Sequence, residues 1–199
     1  MTTQSSSNAT RSSLLQRAAQ RDARAWRELV DLYGPLVAHW CRRCSLDSHA
    51  AADCVQDVFA SVVMALDQFS PQRTSGSFRA WLWTITRNKL RDHFRRNSKS
   101  VAATGGSTAM AFMQHAVDPV SIPDDEPTGD VQLQQLTARA LTQVQSEFEP
   151  RTWQAFWRSV VDGIATAVVA RELEMSEATV RQCRSRVLRR LRQQLGDIH

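Results

Sequence analysis

The sequence predicts an all-α fold: two small helical domains joined by a flexible acidic linker, with a helix-turn-helix in the second. Three observations predict it. Only seven glycines occur in 199 residues, and no stretch alternates apolar and polar residues as a half-buried strand does. Apolar residues instead recur at helical spacing over both ends of the chain. Between these ends the helical period is lost, and Gly105-Gly106, Pro119, Pro123 and Pro127 appear.

Residues 1–12 are rich in Ser and Thr, and read as a disordered N-terminus. They lack the basic start and apolar stretch of a signal peptide, which predicts a cytoplasmic protein. No run of about 18 or more apolar residues occurs, so no membrane insertion is expected.

Residues 13–98 read as the first domain. Leu14 opens a short helix. Asp22 is placed to cap the next, in which Trp26, Leu29, Val30 and Tyr33 have core spacing. Gly34-Pro35 is expected to kink or restart that helix, after which Leu36, Val37 and Trp40 continue the apolar stripe. Asp47 or Ser48 is placed to cap a third helix, with Val55, Val58, Phe59, Val62, Val63 and Leu66 facing inward. Ser70 to Gly76 has the Pro, Ser and Gly content of a turn. Ser77 then caps a fourth helix, from Phe78 to about Arg96.

Residues 99–131 read as the linker. Asp118, Asp124, Asp125, Glu126 and Asp130 make it acidic, and no Lys or Arg lies between Lys99 and Arg139. It is either a solvated spacer or a segment whose acidity matters, threading a basic channel on a partner or shielding the basic domains from stray DNA.

Residues 132–199 read as the second domain. Leu133, Leu136, Leu141 and Val144 suggest one helix. Glu149-Pro150 breaks it and starts another, with Trp153, Phe156, Trp157 and Val160 on one face, and Asp162-Gly163 ends that one. The stretch from Val168 to Val187 has the pattern of a helix-turn-helix. Ala170 is the small contact between helices, Val169, Leu173 and Met175 are its apolar side, Ser176 is an N-cap, and Val180 and Cys183 return to the core. The turn position usually filled by Gly holds Glu174, so the turn is expected to differ in detail.

The helix after Ser176 carries Arg181, Arg184, Arg186, Arg189, Arg190 and Arg192, with no acid between Glu177 and Asp197. Arginine suits phosphate contacts and bidentate guanine readout alike. The early residues of a recognition helix reach base edges, which here makes Ser176, Glu177, Ala178, Thr179, Arg181, Gln182, Arg184, Ser185 and Arg186 the candidate duplex-binding set. Glu177 can pair with Arg181, while the other arginines have no acid at helical spacing.

The fourth helix mixes aromatics with cations. Phe78, Trp81, Leu82 and Ile85 form a core stripe. Arg79, Trp83, Arg87, Lys89, Arg91, Arg95 and Arg96 lie elsewhere, and an exposed aromatic among cations suits unstacked bases on a phosphate backbone. Trp83 fits the core equally well. On the third helix Asp53, Gln56 and Asp57 share a polar face, by default a solvated one.

Net charge is +5 and the isoelectric point about 9.6, which suits a polyanionic partner. Cys41 and Cys44 form a C-x-x-C, but in a helical stretch and without a second Cys/His pair at finger spacing, so core packing is the expected role. The sequence has no phosphate-cradling Gly loop, metal-ligand cluster or nucleophile elbow, so no enzymatic activity and no cofactor are expected.

The order of these pieces resembles the extracytoplasmic-function group of the sigma-70 family. DCVQDVF, Asp53 to Phe59, looks like that family's polymerase-binding segment. FxxWLxxIxxN, Phe78 to Asn88, looks like the start of its minus-ten reader, and Gly163 to Leu191 like its minus-thirty-five reader. The resemblance implies a sigma factor with region 2 at 13–98 and region 4 at 132–199. Asp53, Gln56, Asp57 and Phe59 would dock on core RNA polymerase. The loop with Arg73 and Ser77 would capture a flipped promoter base. Arg79, Trp83, Arg87, Asn88, Lys89, Arg91, Arg95 and Arg96 would hold the opened promoter DNA. An anti-sigma factor is a further implied partner. The competing reading is a stand-alone helix-turn-helix regulator with a sensing or dimerising first domain.

Overall fold

The computed structural model describes residues 13–69, 77–104 and 122–196, with the backbone alone over 98–104. Every element of regular structure among the described residues is helical. Helix α1 is Leu14–Ala19, α2 Ala23–Arg43, α3 Ser48–Ala65, α4 Phe78–Thr104, α5 Asp130–Gln145, α6 Pro150–Phe156, α7 Thr166–Glu172 and α8 Glu177–Leu195.

The starts are set by the side chains the sequence singles out. Asp22 accepts from the backbone N–H groups of Arg24 at 2.8 Å and Ala25 at 3.3 Å. Those two donors hold its carboxyl below the usual carboxylate range. Asp47, not Ser48, caps α3, accepting from Ala50 N–H at 2.8 Å. The Ser77 hydroxyl accepts from Ala80 N–H at 3.3 Å at the start of α4. Each such cap satisfies a donor that the first turn leaves orphaned, contributing about 1 kcal/mol.

Three expectations are corrected. Helix α2 continues through Gly34-Pro35 and does not restart there. Leu29, Leu32, Tyr33, Leu36, Val37 and Trp40 are all buried along one continuous stripe, and that burial, roughly 1.5–3 kcal/mol per large side chain, offsets the hydrogen bond Pro35 cannot make. On α3, Val63 is 50% exposed while Val62 and Leu66 are buried, because the apolar stripe is narrower than its run of valines. Helix α4 continues past Arg96 to Thr104.

Helices α1 to α4 pack in sequence, α1 on α2, α2 on α3 and α3 on α4. Their core is knotted by aromatic rings: Tyr33 lies edge-on to Phe78 at 5.0 Å, Phe69 to Phe78 at 5.5 Å, and Trp40 to Trp83 at 5.4 Å. By length and composition, Ser48–Gln68 is apolar enough to span a bilayer. Here it is a core helix, burying Ala51, Cys54, Val58, Phe59, Val62 and Leu66.

The second set of helices packs on the first. Helix α5 lies against α2, with Arg139 Nε donating to the Leu32 carbonyl at 3.2 Å and Gln143 Nε2 to the Glu28 carbonyl at 3.0 Å. Leu136, Ala140, Val144, Phe156, Val187 and Leu191 join the main core. A smaller core of Ala155, Val169, Ala170, Val180 and Cys183 holds the end that carries the start of α8. Trp157 and Val160, expected on the apolar face, are 38% and 39% exposed. After Phe156 the helix widens into a π-turn, Trp157–Val161, where the α-helical period read from the sequence no longer applies.

Candidate nucleic-acid interface

The helix-turn-helix is built as the sequence requires. Ala170 is 5% exposed where α7 meets α8. One expectation is corrected: Glu174 takes the left-handed conformation itself, at φ 50°, so the turn does not depart from the geometry that glycine usually supplies. Met175 N–H then reaches the Ala170 carbonyl at 2.8 Å, and the Arg151 guanidinium donates to the Leu173 and Glu174 carbonyls. Ser176 caps α8, accepting from Thr179 N–H at 3.0 Å. Its hydroxyl also lies 2.8 Å from that of Thr179, so this pair is partly occupied in building the helix start.

Beyond the cap, Glu177, Ala178, Arg181, Gln182, Arg184, Ser185 and Arg186 are exposed on one open face. Glu177 and Arg181 pair at 3.3 Å, as their spacing predicts. Arg181, Arg184, Ser185 and Arg192 line a cleft with Thr166 and Leu188. A helix N-terminus followed by guanidinium groups attracts and orients a phosphate backbone. Arg190 departs from this pattern. It is 7% exposed and donates twice to the Glu147 carboxylate, at 2.9 and 2.7 Å. Glu147 lies 43 residues upstream, so helical spacing could not reveal it.

The residues assigned on α4 divide into two groups. Arg79, Trp83, Arg87, Arg91 and Arg95 recur every fourth residue along one stripe. Lys89 and Arg96 face the other way, lining a cleft with His93, Asn97 and the Asp53 and Asp57 side chains of α3. Arg96 lies 3.8 Å from Asp57, while Arg95 pairs with Asp92 within its own helix at 2.8 Å. Asn88 is exposed. Arg73 lies outside the described residues.

The first stripe is covered over Arg79, Trp83 and Arg87, while Arg91 and Arg95 stay exposed. Residues 122–129, expected to be part of a flexible linker, lie along it as an extended strap. Ile122 is 4% exposed in the core. The Asp124 carboxylate accepts from Arg87 at 2.7 Å and lies 3.6 Å from the Arg91 guanidinium. The Asp124 carbonyl accepts from Trp83 Nε1–H at 3.2 Å and again from Arg87 at 3.1 Å. Glu126 pairs with Arg79 at 2.5 Å, and Trp40 Nε1–H donates to the Thr128 hydroxyl at 3.1 Å. Trp83 is therefore 2% exposed, not an open aromatic among cations. Opposite charges and two indole N–H donors order a segment whose composition alone reads as solvated.

On α3, Asp53, Gln56 and Asp57 are exposed together. Phe59 is not part of that surface: it is 6% exposed, with its ring edge-on to Trp26 at 6.2 Å, so it positions the helix.

Residues 29–100 match the sigma-70 region 2 family. Over 82 residues the chain is 39% identical to the RNA polymerase sigma factor CnrH of Cupriavidus metallidurans, a match covering 41% of each chain. It is 28% identical over 181 residues to the ECF RNA polymerase sigma factor SigL of Mycobacterium tuberculosis, covering 91% of this chain and 94% of that one. It is 25% identical over 184 residues to the ECF RNA polymerase sigma factor BldN of Streptomyces coelicolor, covering 92% of this chain and 65% of that one. Among solved structures, one of CnrH in complex with the cytosolic domain of CnrY covers 89% of this chain and 92% of the matched one, at 22% identity and a TM-score of 0.36.

Proposed function

We propose, from the premise that this chain belongs to the extracytoplasmic-function group of the sigma-70 family, that it is an alternative sigma factor. It binds core RNA polymerase in the cytoplasm, directs it to promoters, and contributes no catalysis of its own. The observation that carries this reading is the pairing of a sigma-70 region 2 at 29–100 with an open, arginine-lined helix-turn-helix in the same chain. A region 2 before the recognition helix also replaces the sensing or dimerising domain that a stand-alone regulator would need.

Each surface then has one task. Asp53, Gln56 and Asp57 form the docking face for polymerase, with Phe59 holding α3 in place. The α4 stripe of Arg79, Arg87, Arg91 and Arg95, with Trp83, grips the opened minus-ten strand. Phosphates bind such guanidinium groups without regard to sequence, and an indole face stacks on any base. Residues Glu177 to Arg186 enter the major groove of the upstream duplex, where Arg181, Gln182 and Arg184 reach base edges, and Arg186, Arg189 and Arg192 hold phosphates. An anti-sigma protein belongs to the same proposal, since the relative CnrH has been solved bound to the cytosolic domain of CnrY.

A run-off transcription assay tests the reading. Purified chain, core RNA polymerase and a pool of genomic promoter fragments should give discrete transcripts that require both proteins. If polymerase gains no start site while the chain alone shifts duplex DNA, the sigma reading is wrong.

A further inference from the structure

We infer that residues 122–128 are an autoinhibitory strap that occupies the single-strand-binding stripe of α4 until a nucleic-acid strand displaces it. The inference rests on the proposed role of that stripe, and adds how access to it is controlled.

The strap meets the stripe with the chemistry of a DNA backbone. Asp124 presents one carboxylate to two guanidinium groups, Arg87 and Arg91, as a phosphate would. Glu126 presents another to Arg79, about two helical turns before Arg87. Between these acids and the helix, Trp83 is shut away from solvent and its N–H is spent on the Asp124 carbonyl. A base therefore has no ring to stack on while the strap is seated.

The strap is built to leave. The Asp124 side chain is 85% exposed, and ion pairs open to water contribute little and weaken with salt. Among the described residues its other holds are Ile122 in the core, the Asp124 carbonyl on Trp83 and Arg87, the Glu126 pair with Arg79 and the Thr128 contact to Trp40. By contrast, the exposed face of α8 has no such cover among the described residues. The two ends of the chain thus differ: the duplex reader is open and the single-strand reader is closed. This asymmetry keeps the free protein off stray single strands while leaving it able to test duplex DNA.

The experiment compares the full chain with Asp124→Asn/Glu126→Gln and with a charge-matched control, Asp31→Asn/Asp67→Asn, whose substitutions lie away from the stripe. Binding to a fluorescein-labelled mixed-sequence single-stranded 14-mer is followed by anisotropy. Unmasking a site closed about nine-tenths of the time raises apparent affinity about tenfold, so the strap variant should gain about that much and the control only the small change its charge confers. Equal gains in both variants overturn the inference. Hydrogen exchange on the unmutated chain gives a second readout: adding the 14-mer should speed exchange in 122–129, and unchanged exchange in a saturated complex contradicts displacement. The two ideas fail separately. A strap variant that gains affinity while run-off transcription yields nothing keeps the strap and removes the sigma reading. Transcripts with no gain over the control do the reverse.

Discussion

Arg190 and Glu147 are joined by two parallel hydrogen bonds, 2.9 and 2.7 Å long, that fasten the recognition helix to the turn after α5. The guanidinium is almost wholly buried, so it cannot also be a phosphate contact, although the sequence places it in the row of arginines proposed for that role.

Arg190→Ala is expected to destabilise the fold by about 2 kcal/mol, since it removes two charge-assisted hydrogen bonds to the Glu147 carboxylate. Urea unfolding measures this. Arg189→Ala, one residue away and exposed, should leave stability within about 0.5 kcal/mol. Equal effects of the two would contradict the assignment.

Arg181→Ala and Arg184→Ala should act on DNA binding alone. Each removes an exposed guanidinium from the cleft beside α8. Duplex affinity should fall by about 1–3 kcal/mol for each lost base contact, with relaxed preference at that base pair. Fluorescence titrations against duplexes substituted at single base pairs check this, and unfolding midpoints should not move.

Much of this site was legible in the sequence. Helix caps at Asp22, Asp47 and Ser77 are local, and the Ala170 to Val180 spacing of the helix-turn-helix is a fixed offset, so both could be read directly. The strap could not be. Its acids meet Arg79, Arg87 and Arg91 across more than 30 residues, and composition alone cannot tell an acidic segment in water from one laid on cations. Trp83 was balanced between core and surface for the same reason: its partners are Trp40 and the Asp124 carbonyl, neither of them near in sequence.

Glu174 stands at φ 50°, where a side chain is disfavoured by about 1–2 kcal/mol. Glu174→Gly should therefore be tolerated or raise the melting temperature, while Glu174→Val should lower it, because a β-branched residue fits that conformation worst. Thermal denaturation followed by circular dichroism separates the two. A loss of stability in the glycine variant would contradict the turn described here.

Gly196 ends α8 at φ 65°, and a Cβ there would lie 2.7 Å from Leu15 Cδ1 and 3.2 Å from Phe78 Cβ. Gly196→Ala should loosen the end of α8 from α1 and α4, and weaken the bond from the Tyr33 hydroxyl to the Leu195 carbonyl, 2.6 Å in this structure. A cost of about 1–2 kcal/mol in unfolding free energy is expected, with faster hydrogen exchange in α1.

The cysteines are expected to be silent in the folded chain. Cys41, Cys44, Cys54 and Cys183 are all buried, and the neighbouring Cys54 together with burial pushes the Cys41 thiol well up. Thiol-disulfide exchange with a chromogenic reagent at neutral pH should be slow until denaturant is added. Rapid labelling of Cys41 or Cys44 in the native protein would point to redox chemistry instead.

The proposed role of the α4 stripe is to hold an opened promoter strand for polymerase. Permanganate reactivity of thymines upstream of a start site, with core polymerase and either the unmutated chain or Arg87→Ala/Arg91→Ala, tests it most directly. The account predicts reactive thymines with the unmutated chain and their loss in the variant, even though the variant also frees the strap. Equal reactivity with both proteins would contradict it.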